Sequence, residues 1–201
     1  NFGSTVITSS NSSQDIFLAK YNSSGVLQWV KKAGGNLGDA SNSVTTDISG
    51  NIYITGSGSD SLVIGSDTLF SLQGGEFGFI ARFDIDGNAL WGRTAACKYG
   101  FKMHGLAINQ SATQLYVTGF FPGELDFGNI QLKSNGIRDP FIAKYDTAGN
   151  LVYAENVSST GDFSDVGYAI ATDGAGNAYV GGSFSGTLYY GPNLQDSIQS
   201  R

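Results

Sequence analysis

A spacing governs this chain. Residues 139–153 read DPFIAKYDTAGNLVY, and the landmarks of that stretch occur three times. Ala19-Lys20-Tyr21 with Gly25 and Trp29, Ala81-Arg82-Phe83 with Gly87 and Trp91, and Ala143-Lys144-Tyr145 with Gly149 and Tyr153 stand 62 residues apart at every position. A constant period of this length means stacked units of one supersecondary design, none of which buries its apolar side alone.

Within each repeat the pattern is of strands. Residues 15–21 and 26–30 carry aromatic and β-branched side chains around Asn22-Ser-Ser-Gly25, a polar loop with Gly placed for a left-handed backbone, which is a hairpin signal. Residues 43–47 and 52–55 form the next pair. The second repeat supplies 77–83, 89–92, 106–109 and 115–118, and the third 141–145, 151–154, 169–172 and 178–180. No segment keeps a 3.6-residue period over the length a helix needs. Gly-rich insertions at 56–76, 119–138 and 182–201 each hold an apolar-Gly pair (Ile64-Gly65, Phe127-Gly128, Tyr190-Gly191) and are expected to add a small hairpin; Phe2-Gly3 is the tail of a similar one.

Four antiparallel strands per repeat without helices is the signature of β-propeller blades. The apolar residues fall on both faces of the inner strands, with Phe77, Phe79 and Phe83 on one side and Ile80 on the other, as a sheet between two sheets requires. The recurrent small residues Ala19, Ala81, Ala143 and Gly56, Gly119, Gly182 are expected to make room where the next blade approaches. The fold expected is therefore all-β, a single propeller segment over residues 1–201. Its 62-residue repeats run over about 2–63, 64–126 and 127–189, with the start of a fourth at 190–201. Closed propellers have about four to eight blades, so the segment reads as an arc of a larger propeller.

The pattern D-x-F-[IL]-A-K-[YF]-[DN]-x-x-G-N, the aromatic at Trp29, Trp91 and Tyr153, and D-x-x-G-N-x-Y-[IV]-[TG]-G at 47–56 and 173–182 resemble the SBBP repeats, the bacterial β-propeller repeats. The middle repeat departs from the pattern twice. Phe101 stands where Asp39 and Asp165 stand, and Asn109 replaces Asp47 and Asp173 ahead of an inserted residue, so its turn is expected to be reshaped. The resemblance implies a large secreted or cell-surface protein. In the version with an F-G insertion it implies a Bacteroidetes protein of the kind exported by type IX secretion.

The remaining chemistry is sparse. A net charge of −6 excludes a general nucleic-acid binder, which needs a basic face, and disfavours anionic lipid. No apolar run reaches membrane-spanning length. Cys97, the single cysteine, reads as a small buried side chain. His104, the only histidine, excludes a multi-histidine metal site and reads as a polar loop residue beside Met103. No nucleophile–base order or phosphate loop is present. Asp84-Ile-Asp-Gly-Asn88 has the oxygens calcium takes, but the turns at 22–25 and 146–150 lack the middle acid, and Asp, Gly and Asn are what a hairpin turn needs. The turn reading is preferred and no cofactor, metal or catalytic residue is expected.

Lys20, Arg82 and Lys144 read as strand-end residues against a repeated Asp (Asp47, Asp173) or solvent, in preference to a charged ring around a channel. Trp29, Trp91 and Tyr153 read as packing between blades in preference to sugar platforms. N-glycosylation sequons at Asn11, Asn22, Asn109 and Asn156 are of the number chance gives in so Ser/Asn-rich a chain, and Asp-Ser/Thr-apolar motifs at Asp60, Asp67, Asp146 and Asp196 resemble a Bacteroidetes O-glycosylation motif. The function expected is non-enzymatic: a rigid interaction or display module whose insertion-loop face meets protein or glycan partners, with secretion machinery as a further partner and no nucleic acid or membrane insertion. The alternatives are a carbohydrate-binding lectin, or part of an enzyme whose catalytic residues lie outside the segment.

Overall fold

The computed structural model describes residues 5–70, 75–160, 164–190 and 196–199, and of residues 158–160 the backbone alone. The chain is all-β, with antiparallel pairing throughout its named strands and, among the described residues, one 3-10 turn at Ser10–Ser12. β1 (Ile16–Tyr21) and β2 (Leu27–Ala33) come first. Then come β3 (Ala40–Thr46), β4 (Ile52–Ser59), the small hairpin β5 (Ser61–Ile64) and β6 (Asp67–Phe70), β7 (Glu76–Phe83) and β8 (Ala89–Cys97). The same order recurs as β9 (Lys102–Ile108), β10 (Gln114–Phe121), the hairpin β11 (Glu124–Asp126) and β12 (Gln131–Lys133), β13 (Asp139–Asp146) and β14 (Leu151–Asn156). It begins again with β15 (Ser158–Thr160), β16 (Val166–Thr172), β17 (Ala178–Ser183), β18 (Thr187–Tyr190) and β19 (Asp196–Gln199).

Hydrogen bonding joins β3-β4-β7-β8 into one sheet and β9-β10-β13-β14 into another; β11 and β12 extend the first beyond β8. Among the described residues β1-β2, β5-β6 and β16-β17 are two-stranded, and β15-β18-β19 is three-stranded. The inner strands are covered on both faces: β7 and β10 are buried along almost their whole length, as their two-sided apolar pattern requires. One apolar cluster joins Tyr53, Ile80 and Cys97 of the first four-stranded sheet to Leu106, Leu115 and Phe141 of the second, so the stacked sheets share a core. The other runs from Ile16 and Ala33 of the first hairpin to Ile54, Phe79 and Phe83.

The short turns arise from one motif, Asp-x-x-Gly-Asn, at 47–51, 84–88, 146–150 and 173–177. The Asp N–H donates to the carbonyl of the Asn at 2.9–3.1 Å, and the glycine has φ between 76° and 87°, a region that L side chains rarely enter. In the middle repeat Asn109 replaces the Asp and the turn is reshaped: Ala112 takes the left-handed conformation (φ 54°), and the Asn109 Oδ1 accepts the N–H groups of Thr113 and Gln114.

The strands run further toward the insertions than the sequence pattern predicts. β4 continues past Gly56 to Ser59, and β10 past Gly119 to Phe121. Bulges carry the ladder there, between Ser41 and Ser43 and between Thr118 and Gly119. This corrects the reading of the recurrent glycines. A Cβ at Gly56, Gly119 or Gly182 would run into the carbonyl of Ala40, Lys102 or Val166, which belongs to the preceding strand of the same sheet. The room is for a bulge within the ladder, and not for the neighbouring sheet.

Candidate binding face

The meander puts the Asp-x-x-Gly-Asn turns at one end of the sheets and the insertions, with the connections between sheets, at the other. At the insertion end Glu76, Tyr99, Lys102, His104, Phe120, Arg138 and Tyr168 line a pocket of about 420 Å³. His104 lies on β9, where sequence reasoning placed a loop; the strand starts earlier than its apolar pattern because Lys102 and His104 face the pocket side. Its ring sits 5.6 Å from that of Phe120 and 5.6 Å, edge to face, from that of Tyr168. The Arg138 guanidinium lies 4.6 Å over the Phe120 ring. Burial, with a smaller push from Lys102, holds the imidazole below its ordinary pKa, so it is neutral at pH 7. Its Nε2 is buried and makes no hydrogen bond among the described residues. The walls thus offer aromatic faces, two cations and one carboxylate, a set suited to holding a ligand more than to moving protons.

The turn end joins one repeat to the next. Lys20 Nζ donates to the Ile85 carbonyl at 3.2 Å, and Arg82 Nη1 donates to the Thr147 carbonyl at 3.0 Å, the same position one repeat later. Arg82 also lies over the Tyr53 ring and Lys144 over those of Tyr116 and Tyr153. These cations therefore meet a carbonyl or a ring, and not the repeated Asp. The reason is local: both oxygens of Asp47 and of Asp173 are taken by their own turns and by Tyr53 and Tyr179. Trp29 stands over Gly87 and Trp91 over Gly149, where an added Cβ would touch the indole. The Trp91 Nε1–H donates to the Thr147 carbonyl at 3.2 Å, whereas the Trp29 Nε1 is buried without a partner among the described residues. The tryptophans pack between sheets, as their repeated placement predicts.

Each insertion hairpin docks on the preceding sheet in the same register. Val63 bridges Gly34, Asp126 pairs with Ala96, and Tyr189 pairs with Ser158. Leu62 and Leu125 beside these contacts are buried. The hairpins were legible in the sequence, but their docking was not, because nothing local marks a strand edge they would cover.

Asp84 does not leave its carboxylate to a cation: Oδ1 accepts the N–H groups of Asp86 and Asn88 and Oδ2 accepts the Asn88 amide, at 2.8–3.0 Å. Among the described residues no group of three or more His, Cys, Asp or Glu is arranged to hold a metal ion. Cys97 is buried, its thiol pushed up in pKa by burial, with Sγ donating to the Pro122 carbonyl. Of the sequons, Asn109 is buried with its amide on Ser111 and Thr113. Among the described residues no helix is long and apolar enough to cross a membrane.

No curated protein matches the chain. Residues 28–62, which run from β2 through β3 and β4 into β5, match the family model of the SBBP beta-propeller repeat.

Proposed function

We propose that the chain is an arc of a β-propeller, its four-stranded sheets being the blades, that serves as a non-enzymatic interaction and display module of a large secreted or cell-surface protein. The observation that supports this most is the repeated joint between sheets, Lys20 to Ile85 and Arg82 to Thr147 with a tryptophan over the next glycine, which gives a stiff frame and spends its polar groups on structure. The insertion end, with the His104 pocket, is the binding face, for protein or glycan partners. Export by type IX secretion in a Bacteroidetes cell belongs to the same reading, on resemblance alone. The lectin reading keeps support from Tyr99, exposed beside Arg138 at the pocket, but loses Trp29 and Trp91, which are spent between sheets.

Proteinase added to intact source cells is expected to remove the chain while cytoplasmic proteins survive; a chain that stays whole until the cells are lysed overturns the surface placement. Binding of the purified chain to arrayed glycans and to extracellular proteins of the source is expected to fall at least about tenfold, or ~1.4 kcal/mol, in Arg138→Ala. Unchanged binding to every ligand overturns the pocket as the contact site.

A further inference from the structure

The middle repeat breaks the rule of its neighbours, and the breaks meet at the insertion-end pocket. At one register position the ladders carry three different pairs: Ala40 faces Ser57, Lys102 faces Phe120, and Val166 faces Ser183. The pairing is the same in all three, so the ladder itself asks for neither a cation nor an aromatic ring there. One residue earlier, the buried Asp39 and Asp165 accept the N–H groups of Ser59 and Ser185. The middle repeat has Phe101 in place of the acceptor and Pro122, which has no N–H, in place of the donor.

The bulge adds to this. His104 is the bulged residue of β9, as Asn42 is of β3. The Asn42 amide is spent on the Met103 carbonyl at 2.8 Å, whereas the His104 ring stands against Phe120. A bulge re-aims a side chain in this way. Phe120, Lys102 and His104 thus form one wall of the pocket, between sheets that the chain itself supplies.

The charges of the pocket are unspent. Glu76 and Arg138 occupy the same place one repeat apart, 62 residues, with opposite charge. The Arg138 guanidinium lies over the Phe120 ring and Lys102 stands opposite that ring in the ladder, so one buried aromatic carries both cations. Stacking fixes a guanidinium without using its N–H donors. At the rim Lys98 lies over the Tyr99 ring at 5.4 Å. None of Glu76, Lys102 and Arg138 makes an ion pair among the described residues. In a chain of net charge −6, three cations around one carboxylate reverse the local sign and draw in an anion.

We infer that the pocket takes a sugar ring bearing a carboxylate, of the hexuronic acid class. The inference rests on the insertion end being the binding face. The ligand carboxylate meets Arg138, whose fork matches it, and Lys102. The ring hydroxyls donate to Glu76, and the C–H face of the ring lies on Tyr99. The cavity of about 420 Å³ is of the size that small-molecule sites have. A neutral sugar would cover two cations and give them no counter-charge. A phosphate or an acidic peptide side chain brings the charge but not the hydroxyls, and it repels Glu76.

Titration calorimetry of the chain with tri-galacturonic acid, the neutral galactose trimer and a tri-glutamate peptide tests this. The uronate is expected to bind at least about tenfold more tightly than either of the others. Lys102→Ala, which installs the residue that β3 carries at Ala40, and Arg138→Ala are each expected to weaken it at least about tenfold with unchanged circular dichroism. Lys133→Ala removes the same charge outside the pocket and is expected to leave binding as it is. A neutral trimer or a peptide bound as tightly as the uronate overturns the ligand class, and so does a uronate that does not bind. The binding face itself survives either result if Arg138→Ala still weakens the arrayed partners. Uronate binding that both pocket variants leave unchanged overturns the pocket as its site.

Discussion

In four of the short hairpins an aspartate closes the turn and answers to pH. The Asp173 carboxylate, which accepts the Asn177 side-chain and backbone N–H groups and the Tyr179 hydroxyl, has its pKa lowered to about 2. Asp84 is lowered by the Asn88 backbone and side chain; at Asp47 and Asp146 burial pushes upward but the bonds from Asn51 and Asn150 and their neighbours outweigh it. A depressed folded pKa gives stability that is present above the unfolded value of about 3.9 and is lost as pH falls through the folded one. Asp39 opposes this, its pKa raised chiefly by burial, so its share is present below the unfolded value and lost as pH rises. Asp15, whose carboxylate accepts the Ser10 N–H and pairs with Lys32, is lowered as well despite its burial. Five groups against one predict that the melting temperature falls steadily between about pH 4 and pH 2, and a flat profile there would show that these bonds persist in the unfolded chain. These turns were legible because Asp, Gly and Asn act within five residues. His104 and the glycines at 56, 119 and 182 were misplaced because their roles depend on what another strand brings to them.

At the scale of the element, the insertion hairpin is a cover for an edge. β11 pairs along the end of β8, and Leu125 and Leu132 enter the core shared by the two four-stranded sheets. Truncating such a residue costs about 2–5 kcal/mol. Leu125→Ala is therefore expected to lower the chemical denaturation midpoint by a corresponding amount, with Glu124→Ala, exposed on the same strand, as the neutral control. Equal effects would mean that the hairpin is only decoration. The exposed end of β8 should also make the Leu125 variant aggregate faster on heating. The apolar-Gly pair that announced the hairpins has its physical reason here: Ile64 is buried and Phe127 stacks edge-on against Phe141 at 5.9 Å.

Across the whole molecule, sheets are joined by residues one repeat apart. Trp91 covers Gly149, donates to Thr147 and lies under Arg93, which itself donates to the Gly149 carbonyl. Trp91→Ala is expected to cost about 2–3 kcal/mol, less than the 3–5 kcal/mol of a fully buried aromatic because the ring is half-buried. It is also expected to broaden the unfolding transition as the sheets uncouple. An unchanged, sharp transition would place the coupling elsewhere. The period gave the number of strands and their order, but a period has no phase: the four-stranded sheets span residues 40–97 and 102–156, and where to cut a repeating pattern is decided by tertiary pairing alone. The joints also have a direction, since the cation and the tryptophan sit on the earlier repeat and the carbonyl and the glycine on the later one. During synthesis each repeat therefore emerges holding half a joint, and its other half is some 62 residues away. At about 5–20 residues per second that is a wait of roughly 3–12 s, during which the newly made segment is bare on the side that the next repeat will cover.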